Sequence, residues 1–210
     1  QFENGVPVWL RAKINLHLHI TGRADNGYHL LDSLVAFTSL SDDISVVPSD
    51  RFQLNISGDI PLSSECSEQN NLISRVTHIL AEHLGVAPHA TFDLIKNIPL
   101  AGGLGGGSAD AATALLLLKD LWQIKSDDVL ETIAASLGSD IVACLYNRPV
   151  IMRDTGNKIV KAPKMPELYG LLVNPNVHSP TPEVYKAYAH KGNLFSENII
   201  FPEQFYSATE

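Results

Sequence analysis

Between Gly102 and Gly107, five of the chain's fourteen glycines crowd into six positions, and the residues that follow switch at once to helix formers. An ordinary core element does not tolerate such a run, because glycine loses the most conformational freedom on folding and has no side chain to pack. The same run lets backbone N–H groups curl around an anion, and a helix start beyond it adds unpaired N–H donors and a positive dipole end. The segment from Ile98 to Ala112 therefore predicts a phosphate cradle. Ser108 is expected where loop becomes helix, able to cap the helix or to offer its hydroxyl to phosphate or Mg²⁺. A flexible linker is the competing reading. Linkers this rich in glycine have polar flanks, whereas Ala111 to Leu118 is almost wholly apolar. Two common phosphate loops are excluded: Gly107 runs directly into Ser108 without the Walker A lysine, and a dinucleotide fingerprint counted from Gly103 meets Ser108 at its sixth position.

The rest of the chain narrows the setting. Its 210 residues, 45% hydrophobic and 18% charged, suit one large or two modest globular domains. No stretch reaches 18 consecutive apolar residues, so no membrane span is expected. Gln1 to Val8 lacks a basic segment followed by an apolar one, so no secretory leader is expected and a cytoplasmic location is. Cys66 and Cys144 lie far apart without metal-ligand spacing and are expected as reduced thiols. A formal charge of −8 argues against a general nucleic-acid surface. An anionic substrate then needs local positive groups, which makes each lysine near the glycine loop informative.

Periodicity predicts an α+β chain. Val8 to Ile20 alternates at strand period, and Leu34–Leu40, Asp43–Val47, Ser49–Ile60 and Ala90–Ile95 are further expected strands. Helices are expected over Asn70–Leu84, closed by Gly85, over Ala109–Trp122, and over Ser126–Leu137 with Ser126 as its cap. Tyr169–Val173 is expected as a buried strand, and residues 190–210 show no clear pattern.

Three other segments carry candidate chemistry. In a strand, Lys13 and Asn15 share one face while Ile14 and Leu16 share the other, so the polar pair can address a site while its neighbours are buried. A strand-face lysine is more often merely solvated. Tyr28 and His29 follow the turn-forming Asp25-Asn26-Gly27 and present an aromatic ring and an imidazole, an arrangement that is more often structural. His17 and His19 share a strand face but lack a third ligand nearby, and a structural role is expected; no metal site is assigned. Asp140 follows Gly138 and precedes an apolar run; its plainer role is to cap a buried helix, its sharper one to act as a positioned base. Phosphoryl transfer rests on holding donor and acceptor in line and neutralising spread charge, for which a carboxylate and a lysine suffice.

Lys13-x-Asn15-Leu16 with Gly27-Tyr28-His29, then the glycine loop, then Leu137-Gly138-Ser139-Asp140, in this order, resemble the GHMP kinases. Together with Thr181-Pro182-Glu183-Val184-Tyr185 they resemble, within that superfamily, the 4-diphosphocytidyl-2-C-methyl-D-erythritol kinases, from about residue 8 to residue 188. The resemblance implies transfer of the ATP γ-phosphate to the 2-hydroxyl of the cytidyl substrate, with Mg²⁺, in the non-mevalonate route to isoprenoid precursors. It implies a two-domain α+β fold with both substrates between the domains. By the same resemblance Asp140 is the catalytic carboxylate and Lys13 its partner, Asn15 an active-site asparagine, and Tyr28, His29 and Tyr185 the cytidine-binding residues. Pro99, Leu100, Ala101, Gly102, Gly103, Leu104, Gly105, Gly106, Gly107 and Ser108 match the ATP phosphate loop. Asn71, Leu72 and Lys96 match positions lining the adenine pocket. Another GHMP kinase acting on a different alcohol, or a nucleotide-binding remnant without catalysis, are the alternatives.

The chain departs from the family pattern at three places. Ile141-Val142 stand where the family has Val-Pro, Asp154 and Asn157 replace a glycine and a glutamate in an Arg-Gly-x-Gly-Glu turn, and the glycine-rich motif beyond Tyr185 has no counterpart. The expected division is a complete ATP-binding domain over residues 1–155 and the start of a truncated second domain over 156–210.

Overall fold

The computed structural model describes residues 11–58, 70–100, 102–174, 181–190, 192, 194–203 and 205. Cys66 and Ala101 lie outside the described residues, as do the first three residues of the expected strand from Val8 and the last two of the one ending at Ile60.

A long hairpin opens the structure. β1 (Arg11–Arg23) turns through Gly27 into β2 (His29–Ser41), and the pair runs antiparallel with three register shifts. β6 (Val150–Asp154) adds to the far edge of β2 and β7 (Lys158–Lys161) to β6, giving a four-stranded antiparallel sheet in the order β1-β2-β6-β7. A second sheet orders β3 (Asp43–Val47), β5 (Thr91–Ile95) and β4 (Gln53–Ser57) as β3-β5-β4. Here β4 and β5 are parallel, and the helix α1 (Leu72–Leu84) lies between them in the chain, as a parallel pair requires.

Helix α2 (Gly106–Leu121) is the centre of the molecule. Ala109, Asp110, Ala111, Ala112, Thr113, Ala114, Leu115, Leu116 and Leu118 are all buried. A helix apolar on every side is one that neighbours surround; α1, α3 (Asp128–Leu137) and α4 (Ser139–Tyr146) pack with it and with Phe92 and Leu94 of β5 in one core. Because α2 is held all round, the glycine loop that leads into it has a rigid anchor on one side. Ile141 and Val142 both enter that core from α4, so the absence of the family's proline there leaves an intact first helical turn. α5 (Thr181–His190) closes the described secondary structure.

Most expected elements form, and the differences have physical causes. β1 extends to Arg23 and β2 starts at His29, because the turn at Gly27 lets the ladder continue past the apolar residues. The strand expected over Ser49–Ile60 contracts to β4. The second helix begins at Gly106 rather than Ala109, since the last two glycines of the loop already take helical conformation. Ser126 accepts a 3.2 Å hydrogen bond from the Asp128 N–H at the start of α3.

Two expectations are overturned. Tyr169–Val173 forms no strand and its large side chains are exposed, because among the described residues no layer lies over the run to bury it. On β1 the burial is the reverse of the expected one: Ile14, Leu16 and Leu18 are exposed while Lys13 is only 8% accessible. Among the described strands β1 lies at the edge of its sheet, and its inward face is the one that carries Lys13 towards the loop.

The sequence also concealed β6, β7 and α5, and the buried helix weighed at Asp140 forms as α4. The expected domain division at 155/156 falls in the turn between β6 and β7, so the first sheet continues to Lys161. In that turn Asp154 holds φ at 63°, where the family has glycine, and its carboxylate accepts a 2.9 Å hydrogen bond from the Thr155 N–H. No helix of the described residues is long and apolar enough to cross a membrane.

Candidate active site

Three elements meet at the Lys13 ammonium. β1 supplies it, α4 supplies Asp140 in its first turn, and the glycine loop crosses its stem. Lys13 Nζ lies 3.1 Å from Asp140 Oδ2 and donates a 2.8 Å hydrogen bond to Asn15 Oδ1. Asp140 makes no cap bond of its own helix, whose N-cap is Gly138, so its carboxylate remains free to face the lysine. It is 38% exposed against 10% for Lys13, so the pair opens to solvent on its acidic side.

The loop is tied to the same lysine. The Lys13 backbone N–H donates to the Leu104 carbonyl at 2.8 Å. Gly105 is the N-cap of α2 with φ at 65°, and a Cβ there would stand 2.8 Å from Lys13 Cγ. Glycine is therefore required at this position twice, once by conformation and once by space. Ser108 was expected at this junction; it stands instead in the first turn of α2, because Gly105 takes the cap. That turn holds no acidic residue and no side-chain cap, which leaves its N–H donors and dipole end open to an anion.

Beside the loop is a pocket of about 280 Å³ lined by Pro99, Leu100, Gly102 to Gly107, Asn71, Leu72 and Lys96, with Asp110 at its floor. Every expected ATP-binding residue within the described part of the chain except Ser108 lines it. Asn71 is fixed as the N-cap of α1, its Oδ1 accepting from the Ile73 N–H at 2.9 Å.

Lys96 is not the free cation that its sequence position invited. Its ammonium is buried between Asp42 and Asp110, 2.7 Å from the latter. Asp42 also accepts from the backbone N–H groups of Asn97 and Ile98, so it fastens the corner before β3 to the approach of the loop. One ammonium cannot neutralise two carboxylates. Burial, with Asp42 adding to it, outweighs Lys96 and pushes the Asp110 carboxyl up to about 7. Burial alone would lower the Lys96 ammonium, but the two carboxylates outweigh it and raise it. Neither aspartate was singled out in the sequence; a carboxylate inside a helix or after a strand ordinarily signals only a solvated face.

On the other side of Asp140 stand the aromatic residues. The His29 and Tyr185 rings stack at 5.2 Å with 24° between planes, and Tyr188 meets His29 edge-on at 6.0 Å. Burial first, then the nearby Asp140 charge, raises the Tyr185 hydroxyl above its ordinary range. Tyr28 is 68% exposed at the tip of the hairpin turn. The imidazole of His17 is engaged on both nitrogens: its Nδ1 accepts from the Leu34 N–H at 3.3 Å, so its Nε2 donates to Asp32 at 3.0 Å. Burial pushes the Cys144 thiol up, with Asp140 adding to it, and it lies unpaired in the core.

The family described as GHMP kinases N terminal domain matches residues 71–148, which run from the cap of α1 past α4. A protein of Rhodospirillum rubrum named 4-diphosphocytidyl-2-C-methyl-D-erythritol kinase is 44% identical over 177 residues, covering 84% of this chain and 58% of its own length. One of the same name from Rhizobium etli is 40% identical over 192 residues, covering 90% and 64%. The crystal structure of a 4-(cytidine 5'-diphospho)-2C-methyl-D-erythritol kinase superimposes with a TM-score of 0.70 at 29% identity, over 91% of this chain and 67% of that one. The chain spans about six-tenths of the length of the curated relatives it matches. A homoserine kinase from Cytophaga hutchinsonii, 19% identical with a TM-score of 0.53, shares the fold over 89% of this chain and 61% of its own.

Two outcomes are expected from this geometry. Gly105→Ala, which sets a methyl against the Lys13 stem at a left-handed φ, is expected to lower the melting temperature by about 2–8 °C, since both the loop and the lysine must shift; an unchanged value would contradict the close approach. Asp110 holds its proton more tightly in the folded chain than in the unfolded one, so stability is full below about 4 and lost as pH rises through about 7. Asp110→Asn keeps an acceptor for Lys96 without the titration; its melting temperature relative to the parent is expected to climb between pH 5 and 8, and a constant difference would contradict the assignment.

Proposed function

Since the chain belongs to the 4-diphosphocytidyl-2-C-methyl-D-erythritol kinase family of GHMP kinases, we propose that the protein transfers the γ-phosphoryl group of ATP to the 2-hydroxyl of that cytidyl alcohol, in the cytoplasm, on the non-mevalonate route to isoprenoid precursors. The observation that carries this reading is the Lys13–Asp140 pair at 3.1 Å, with the glycine loop against the Lys13 stem and the Tyr185 ring close enough to feel the Asp140 charge. Residues 1–155 are then the ATP-binding domain and 156–210 the start of the second, with β7 reaching back to the first sheet.

Each part has a task in that chemistry. The loop N–H groups and the start of α2 hold the polyphosphate, with the adenosine towards Asn71 and Leu72. Mg²⁺ comes with the nucleotide: such ions keep most of their shell from phosphates and water and need one or two protein oxygens. The Ser108 hydroxyl offers such a hard oxygen, and no group of three His, Cys, Asp or Glu stands together among the described residues. Held there, such an ion would supply neutralisation of phosphate charge. Asp140, open to solvent, accepts the hydrogen bond of the substrate hydroxyl and takes its proton as the new P–O bond forms. The Lys13 ammonium stabilises the negative charge spread over the transferring group. Tyr28, His29 and Tyr185 receive the cytosine, whose faces stack on rings and whose edge sets identity. In the described arrangement His29 and Tyr185 already touch face to face, so the base lies against that stack or parts it.

Protein extended to the relatives' length is expected to phosphorylate the cytidyl alcohol and neither mevalonate nor homoserine; turnover of either of the latter in preference would overturn the substrate assignment. In that protein Asp140→Ala loses at least about 100-fold in kcat while ATP affinity stays within about threefold. Near-parent turnover would remove Asp140 from the role of base. Tyr185→Ala raises KM for the cytidyl alcohol about tenfold and leaves KM for ATP almost unchanged; equal losses for both would refute base stacking on that ring.

A further inference from the structure

Ser33 belongs to no motif and stands at the start of an apolar stretch, yet it is buried to 1% accessibility and its hydroxyl makes two short hydrogen bonds. We infer that Ser33 is a positioning residue for Lys13, acting through the side-chain amide of Asn15; the inference rests on the phosphoryl-transfer reading above.

The direction of each bond follows from what each group can give. Ser33 Oγ donates its single proton to the His17 carbonyl at 2.7 Å, a group that can only accept. Towards Asn15 the same oxygen can therefore only accept, and it receives Asn15 Nδ2 at 2.7 Å. That leaves Asn15 Oδ1 facing the Lys13 ammonium, which can only donate, at 2.8 Å. A flipped amide would set NH₂ against NH₃⁺ at Lys13 and oxygen against oxygen at Ser33, with no proton between. The polarity of a backbone carbonyl is thus passed through one hydroxyl and one amide to the catalytic cation, and the cation is held towards Asp140 from behind.

The frame around Ser33 is stiff enough to transmit this. β2 is paired on both sides, with Ser33 opposite Leu18 of β1 and Met152 of β6. The register of β1 shifts between Asn15 and His17, a local irregularity of the kind that re-aims side chains beside active sites. The bond from Asn15 Nδ2 reaches across the hairpin to β2, while its Oδ1 turns back along β1 to Lys13. Neither Ser33 nor its partners line the pocket beside the glycine loop, so its contribution falls on the transfer step and not on the hold on ATP.

The test is a double-mutant cycle in protein of the relatives' length, combining Ser33→Ala with Asn15→Ala. Ser33→Ala is expected to lower kcat about tenfold with KM for ATP within about twofold, and Ser33→Thr, which keeps the hydroxyl, to recover most of the rate. In the Asn15→Ala background, Ser33→Ala is expected to change kcat less than about twofold, because its route to Lys13 is gone. Should Ser33→Ala fold poorly, Ser33→Cys fills the same space with a weaker hydrogen-bonding group and is expected to lose rate in the same direction. A substrate-free reading is the side-chain amide of Asn15 followed by ¹⁵N NMR. Its Nδ2 group loses the Ser33 acceptor in Ser33→Ala, so its two N–H resonances move and exchange faster with water than in the parent. A kcat within twofold of the parent, an undiminished effect of Ser33→Ala without Asn15, or unmoved Asn15 amide resonances would each overturn the proposal. If the parent phosphorylates no cytidyl alcohol, the kinase reading falls while the Asn15 amide still decides the role of Ser33.

Discussion

The Lys13 ammonium, nearly withdrawn from water, is the charge around which the rest of the site is built. A buried cation without partners costs several kcal/mol, and here the partners come from three separate elements. Asp140 answers it from α4, Asn15 from its own strand, and the glycine loop closes over its stem through Leu104 and Gly105. Because each of these groups also has a task in the proposed chemistry, the interactions that satisfy the lysine in the resting fold are those that would place a phosphate, a hydroxyl and a cation together. Removing any one of them leaves the ammonium in an unfavourable surrounding and would also displace a group of the proposed reaction.

The loop depends in turn on a second buried charge cluster. Asp42, Lys96 and Asp110 fasten the start of β3, the residues before the loop and the second turn of α2 to one another. Such a cluster is not expected to add much net stability, since desolvation offsets the Coulomb attraction. What it does is set geometry: the loop is pinned on one side by α2, on the other by Asp42, and in the middle by Lys13. A backbone without side chains to pack cannot hold its own shape, and these three attachments replace the packing that glycines lack.

The fold was partly legible in advance. Strands and helices with clean periodicity, such as β3, α1 and α3, form where the spacing places them, because one face of each is buried by the core. The apolar run at Tyr169–Val173 shows the limit of that signal: apolar composition states a preference for burial, and burial needs another layer. β1 shows the same limit in reverse, for its alternation was visible but the buried face was the one carrying lysine. The bounds of α4 were not legible because eight residues with an apolar interior carry too little period, and β6 was not because its partner β2 is over a hundred residues away along the chain, while the four-residue β7 pairs only with β6.

By itself the sequence determined that a phosphate-binding loop leads into a buried helix, that Lys13, Asn15 and Asp140 are candidates for one site, and that the chain resembles a kinase family. Those conclusions rest on local chemistry: glycine conformations, period and residue type over a few neighbours. Only the tertiary structure decided that Lys13 points inward, that Lys96 is neutralised by Asp42 and Asp110, that Gly105 rather than Ser108 caps α2, and that Ser33 orients Asn15. Each of these depends on a contact between residues far apart in the chain. Which side of a strand faces inward, and whether a charge has a partner, is settled by what lies across the gap, and no local pattern records that.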